Sequence, residues 1–236
     1  MRRSLFVLGA LALLFSMSLL TSAAAQETPV CGPPGEEVPA TIVGAGHING
    51  TAGDDVIVGS AGVDQINGGP GDDIICSEGG NDNVNGGPGA DVLIGDGVEL
   101  PPFIPSNGDN DDHLSGGPGD DVLAGLGGDD TLVGGPGNEE LIGFGGDDEI
   151  VAGPGDDTAF GGPGVDTMSG DVGDDTLFGN FGSDVIAGGP GDDFIDGDNP
   201  TPPPPGGPPF PPGGNFDDCT GGPGTDLIDN CEVTTP

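Results

Sequence analysis

The chain has 236 residues, 41 of them acidic and two basic, for a formal net charge of -39. That balance excludes nucleic acid as a partner, because holding phosphates takes Lys and Arg. It also excludes a surface of self-contained ion pairs, so the repulsion either keeps the chain open or is offset by positive charge from outside.

Arg2 and Arg3 open the sequence, "SLFVLGALALLFSMSLL" follows, and "TSAAA" closes the apolar run. A charged start, an apolar middle and a small-residue end predict a secretory signal peptide over residues 1–25, cleaved after Ala25. A transmembrane anchor is the alternative, but the run is short for a span and no cationic flank follows. Cleavage leaves a secreted, extracellular chain with no Lys or Arg and no membrane insertion. Four cysteines in an exported chain, Cys31, Cys76, Cys219 and Cys231, favour two disulfides. Cys31–Cys76 with Cys219–Cys231 is the preferred pairing, since each bond staples one end of the region between. The short second loop is worth on the order of 3 kcal/mol in the chain-entropy model. A zinc site is the alternative, and no C-x-x-C spacing supports it.

Residues 26–49 form an N-terminal cap: "TIVGAGHIN" puts Gly46 where later units carry an acid and Ile48 where they carry an apolar residue. From there an acid returns every nine residues. It stands at Asp55, Asp64, Asp73, Asp82 and Asp91, then at Asp112, Asp121, Asp130, Glu139, Asp148, Asp157, Asp166, Asp175, Asp184 and Asp193, then at Asp217 and Asp226. Two residues after each acid the side chain is apolar in all 17 units, from Ile57 to Ile228, with mixed neighbours on either side. One inward residue between two outward ones predicts a three-residue strand, and the remaining six residues a Gly-rich turn. Such a unit buries its apolar residue only by stacking, so alternate units face each other and 18 residues make one coil.

The third-position prolines support this. Pro70 and Pro88, then Pro118, Pro136, Pro154 and Pro190, are spaced by 18 or its multiples, with Pro163 the exception. Residues 95–106 and 197–211 break the step, yet the alternation resumes in phase. They are expected to be Pro-rich loops extruded from one coil edge of a region spanning 50–229; the alternative is flexible linkers between separate rolls. The tail 230–236 caps the far end.

Carboxylates and turn carbonyls are hard oxygen donors suited to Ca2+. "GGPGDDVLA", "GLGGDDTLV", "GGPGVDTMS" and "GGPGTDLID" resemble the G-G-x-G-x-D-x-U-x nonapeptide of the RTX (hemolysin-type) calcium-binding family. The resemblance implies an all-β fold, a right-handed parallel β-roll or β-helix solenoid of nine-residue repeats. It also implies that the sixth-position Asp binds Ca2+ between turns with help from backbone carbonyls. That role falls to the aspartates named above, from Asp55 to Asp226, while Glu139 departs from the pattern and "SEGGNDNVN" lacks the first glycine pair. "NDNVNG" at 81–86 partly matches an EF-hand loop, but Val92 stands where a Glu ligand is required.

Enzyme activity is not expected. His47 and His113 are the only histidines, neither has a Ser or Cys partner, and no segment outside the repeats offers a catalytic domain. The expected function is that of a secreted calcium-ion-binding protein that folds on binding several Ca2+. The alternative is a calcium-stiffened adhesion or structural module touching an extracellular surface through the Pro-rich loops, with Phe103 and Phe210, and through solvent-facing Phe160, Phe178 and Phe194. A flat ice-binding array is disfavoured by the mixed outward residues.

Overall fold

The structure is a computed structural model that describes residues 30–31, 38–96, 110–198, 218–229 and 231. The expected signal peptide, most of both Pro-rich loops with Phe103 and Phe210, Asp217 and most of the tail lie outside the described residues. Among the described residues no helix is long and apolar enough to cross a membrane.

Two parallel sheets, of nine and ten strands, face each other, and successive units go to opposite sheets. Register repeats at 18 residues: Leu114 pairs with Leu132 and Leu132 with Ile150 in the nine-stranded sheet, Leu123 with Leu141 in the ten-stranded one. Across residues 97–109 the step widens to 30, and across 199–217 to 33, and the ladders continue. Ile42–Val43 and His47–Asn49 supply the first strand of each sheet. Val30–Cys31 pairs antiparallel with Val38–Pro39 beside this end.

The apolar position of each unit makes the core. Ile57, Ile75, Leu93, Leu123, Leu141 and Leu177 from one sheet meet Ile66, Leu114, Leu132, Ile150 and Ile186 from the other, all nearly inaccessible. Each such side chain contributes about 1.5–3 kcal/mol on burial. Disulfides join Cys31 to Cys76 and Cys219 to Cys231, the first tying the N-terminal hairpin to the outer face of the ten-stranded sheet.

Two expectations need correction. The three-residue strand holds for most of the nine-stranded sheet, but strands of the other run to five or six residues, as in Val122–Gly127 and Thr158–Pro163. The reason is that pairing between coils continues past the outward residue there: Leu126 pairs with Phe144 and Gly127 with Gly145, and Gly128 N–H donates to the Gly145 carbonyl. Phe160, Phe178 and Phe194 are not free solvent-facing rings either. They are half-buried, with Phe160 stacked on Phe178 at 5.0 Å and Phe194 tilted against Phe178 at 5.7 Å. In-register coils bring like positions together on one sheet, so bulky rings must touch.

The mixed outward residues separate into two faces. On the ten-stranded sheet they are largely apolar, with Ala124, Ile142, Phe160 and Phe178 in sequence along the ladder. On the nine-stranded sheet they begin as exposed His47, Asn49, Gln65, Asn67, Asn83, Asn85 and His113, with Asn85 Nδ2 donating to Asn67 Oδ1 at 2.8 Å.

Candidate metal centre

Strand alternation decides where each repeat acid points. Counting from the first glycine, positions six, eight and one face inward, and seven and nine outward. The sixth-position acids from Asp55 to Asp193 are therefore all buried, at 7% exposure or less, whereas fifth-position Asp120 and Asp129 are exposed.

The two carboxylate oxygens have different surroundings. Oδ1 accepts the backbone N–H of the sixth-position residue one coil earlier: Asp112 N–H to Asp130 at 2.8 Å, Asp130 N–H to Asp148 at 2.9 Å, Asp148 N–H to Asp166 at 2.9 Å. Oδ2 of Asp73, Asp82, Asp91, Asp112, Asp121, Asp130, Asp148, Asp157, Asp166, Asp175 and Asp193 is buried without a donor. Gly143 shows what lies around such an oxygen. A methyl group there would collide with Asp148 Oδ2 and stand 2.8 Å from the carbonyl oxygen of Gly161, one coil on. The first glycine thus leaves open a space on which a carboxylate and a carbonyl of the next coil converge.

Burial without compensation raises these carboxyls. Asp112 is pushed up to about 8, and Asp91, Asp130 and Asp166 to about 7, first by desolvation and then by neighbouring carboxylates, against the backbone hydrogen bond that lowers each. Asp82, Asp121, Asp148 and Asp175 reach about 6 for the same reasons. A buried, unpaired carboxylate is costly, and one missing positive partner per turn is the shared feature. The donor set fits a hard cation: carboxylate and carbonyl oxygens around the first glycine. Among the described residues no three acidic, His or Cys side chains converge on one point. Each site would therefore draw one carboxylate and several backbone carbonyls, as a roomy, oxygen-seeking ion permits.

The candidate residues are not uniform. Asp64 Oδ2 is already served, by Ser60 N–H at 2.7 Å and Ser60 Oγ at 2.9 Å. Asp55 Oδ2 has the same arrangement with Thr51, at 2.6 and 2.9 Å, and Asp64 Oδ1 takes the N–H of Gly46. At Asp82 the first-position residue is Ser77, whose single hydroxyl proton goes to the Gly95 carbonyl at 2.6 Å. Ser77 also draws the Asp82 carboxyl down, but with that proton committed to Gly95, Asp82 Oδ2 keeps no donor. Glu139 has both oxygens buried without a donor, and lies against Asp157. Burial and Asp157 push Glu139 upward, so without a cation it keeps a proton to share with that neighbour. Asp226 is half-buried, its Oδ1 accepting Asp193 N–H at 3.3 Å.

Two features escaped the reading of the sequence. Fifth-position acids form their own ladder, running the opposite way: Asp111 Oδ1 accepts from Asp129 N–H, Asp129 from Asp147, and Asp156 from Asp174, at 2.9–3.1 Å. Its signal was the recurring acid pair, with Asn138 able to replace Asp because only an acceptor is needed. Asp96 and Asp196 are also buried, off the nine-residue acid positions, where no period marks them.

Comparison with known families agrees with this geometry. The family model for the RTX calcium-binding nonapeptide repeat, in four copies, matches residues 43–75, 77–97, 106–138, 142–177 and 169–199, together more than half of the chain. No curated relative matches it. Stacked turns with inward carboxylates and a nonapeptide match of this extent place one conclusion beyond the fold: the chain belongs to the RTX calcium-binding nonapeptide-repeat family and is a calcium-binding repeat protein.

Proposed function

We propose that this chain is a secreted protein whose calcium binding and folding are one event, with several Ca2+ held between stacked coils. The observation that carries the reading is the column of buried sixth-position carboxylates whose second oxygen lacks a donor. The ligands in this reading are the sixth-position aspartates from Asp73 onward, including Asp184, Asp217 and Asp226 by their place in the frame, with Glu139 a weaker member. Asp55 and Asp64 share the frame, and Thr51 and Ser60 already occupy their oxygens. Bound Ca2+ supplies the positive charge that the chain lacks. About a dozen ions would bring roughly +24 against the 41 acidic groups. The chain's own part is to hold each Oδ1 on the preceding coil, keep the first glycine open and present carbonyls. Extracellular calcium modules work at roughly 10⁻⁴–10⁻³ M, so the chain would stay open inside the cell and fold after export. The N-terminal signal over 1–25 and the two disulfides fit that route. The Pro-rich segments 95–106 and 197–211 are read as loops on one continuous solenoid, since the ladders keep register across both gaps.

The test is far-ultraviolet circular dichroism of the mature chain during Ca2+ addition, with Mg2+ and Na+ controls at matched ionic strength. A coil spectrum that converts to β with Ca2+ alone supports the reading, and a complete β spectrum in chelator at neutral pH defeats it. A second reading, a calcium-stiffened adhesion module, is favoured by the apolar outer face carrying the Phe160–Phe178 stack. Deleting residues 197–211 separates the two: adhesion to a surface falls and calcium binding does not if the second reading holds.

A further inference from the structure

Asp96 stands at the second position of its turn, where the frame calls for glycine, and its side chain is only 2% exposed. Its Oδ1 accepts Asn110 Nδ2 at 2.7 Å. Residues 97–109 intervene in sequence, so this bond clamps together the two chain ends where they leave and rejoin the coil. The clamp explains one oxygen. Oδ2 is buried and has no donor. A carboxylate is also a poor choice for a clamp alone, because an amide oxygen accepts from Asn110 equally well without bringing a charge into the interior.

The surroundings say what the charge is for. Asp96 follows Gly95 directly, and a methyl group on Gly95 would collide with Asp112 Oδ2 and lie 2.7 Å from the Gly125 carbonyl oxygen. This is the same open space found beside Asp148, with Asp96 as its chain neighbour. The Asp96 charge acts on Asp82, Asp112 and Asp130, the sixth-position acids of three successive turns on this edge. The sequence repeats the arrangement once, with Gly197–Asp198 before the other insertion and Asn215 after it.

We propose that Asp96 is a calcium ligand outside the repeat pattern, adding a second carboxylate to the site of Asp112 and the Gly125 carbonyl and making it the tightest site of the solenoid. The proposal rests on the calcium reading above. Calcium loops gain affinity as ligand charge rises, and other turns offer one inward carboxylate.

The experiment compares the full mature chain with Asp96→Asn and Asn110→Ala by calorimetric titration with Ca2+ alone, with circular dichroism at saturating Ca2+ as a fold check. Asn at 96 keeps the acceptor for Asn110 and removes only the charge; Ala at 110 removes the clamp and keeps the charge. The expected result is loss of one site, or its weakening by about tenfold or more, in Asp96→Asn, with Asn110→Ala unchanged. Equal titrations for Asp96→Asn and wild type would overturn the proposal and leave Asp96 as a clamp. Equal weakening in both variants would overturn it too. A wild-type chain that binds no Ca2+ defeats the underlying reading instead.

Discussion

In the first coils, Asp55 and Asp64 receive an N–H and a hydroxyl from Thr51 and Ser60, so the Oδ2 of each has donors from the chain itself. In the middle coils, Asp121, Asp130, Asp148 and Asp166 keep the same backbone frame and lose that second donor. The first region is also tied by Cys31–Cys76 and covered by a small cluster of Cys31, Val58 and Cys76 with Val56, Ile74 and Ala40 against it. The middle has only the apolar column and the ladders. One repeat therefore serves two ends: a hydroxyl in the second position completes a turn internally, and a residue without one there, Gly117, Leu126, Phe144 or Gly162, leaves it dependent on a cation. The N-terminal coils are expected to hold shape without calcium, and the middle ones to need it.

Acid should blur this difference most. The middle carboxyls sit above their ordinary range in the ion-free fold, so that fold binds more protons than the unfolded chain between about pH 4 and pH 7–8. Their stability contribution is complete below the unfolded carboxyl range and is lost as pH rises through the folded values. Chelator-treated protein, with its middle coils open at pH 7.5, is expected to regain β-signal by circular dichroism near pH 4, and no recovery there would contradict the electrostatic account.

Core truncation should then show that calcium does not replace packing. Leu132→Ala, in the middle of the column, is expected to cost about 2–5 kcal/mol in chemical unfolding at saturating Ca2+. A loss near zero would mean that the ions alone hold the coils together.

Converting one region into the other is a sharper test with a smaller effect. Thr51→Gly with Ser60→Gly removes the hydroxyl donors and should raise the calcium stoichiometry while weakening the calcium-free N-terminal coils by about 1 kcal/mol per lost hydrogen bond. Unchanged stoichiometry would show that more than a missing hydroxyl is needed to make a site. Smallest of all, Glu139→Asp shortens the acid that now lies against Asp157. It should restore the Oδ1 bond to the preceding coil and tighten calcium at that turn alone, as read in the titration.

The columns were legible because period nine puts one acid and one apolar residue on the inside of every unit, from Asp73 and Ile75 to Asp193 and Ile195. The disulfide pairs were legible because each joins one end of the array. Less visible was the division of outward residues, since Val56, Gln65, Ile74 and Asn83 look like noise until odd and even units are sent to different sheets. The phenylalanine ladder followed from that same sorting. Thr51 and Ser60 gave no signal, because a hydroxyl shows its role only when the carboxylate it reaches, four residues on, is placed beside it. Asp96 was hidden by the insertion itself, which separates it in sequence from Asn110.

The most direct test is amide hydrogen exchange followed by mass spectrometry, in chelator and in saturating Ca2+ at neutral pH. The account predicts that residues 42–67 keep protection in both, while 112–196 are protected only with Ca2+. Equal protection of the two regions in chelator would contradict it.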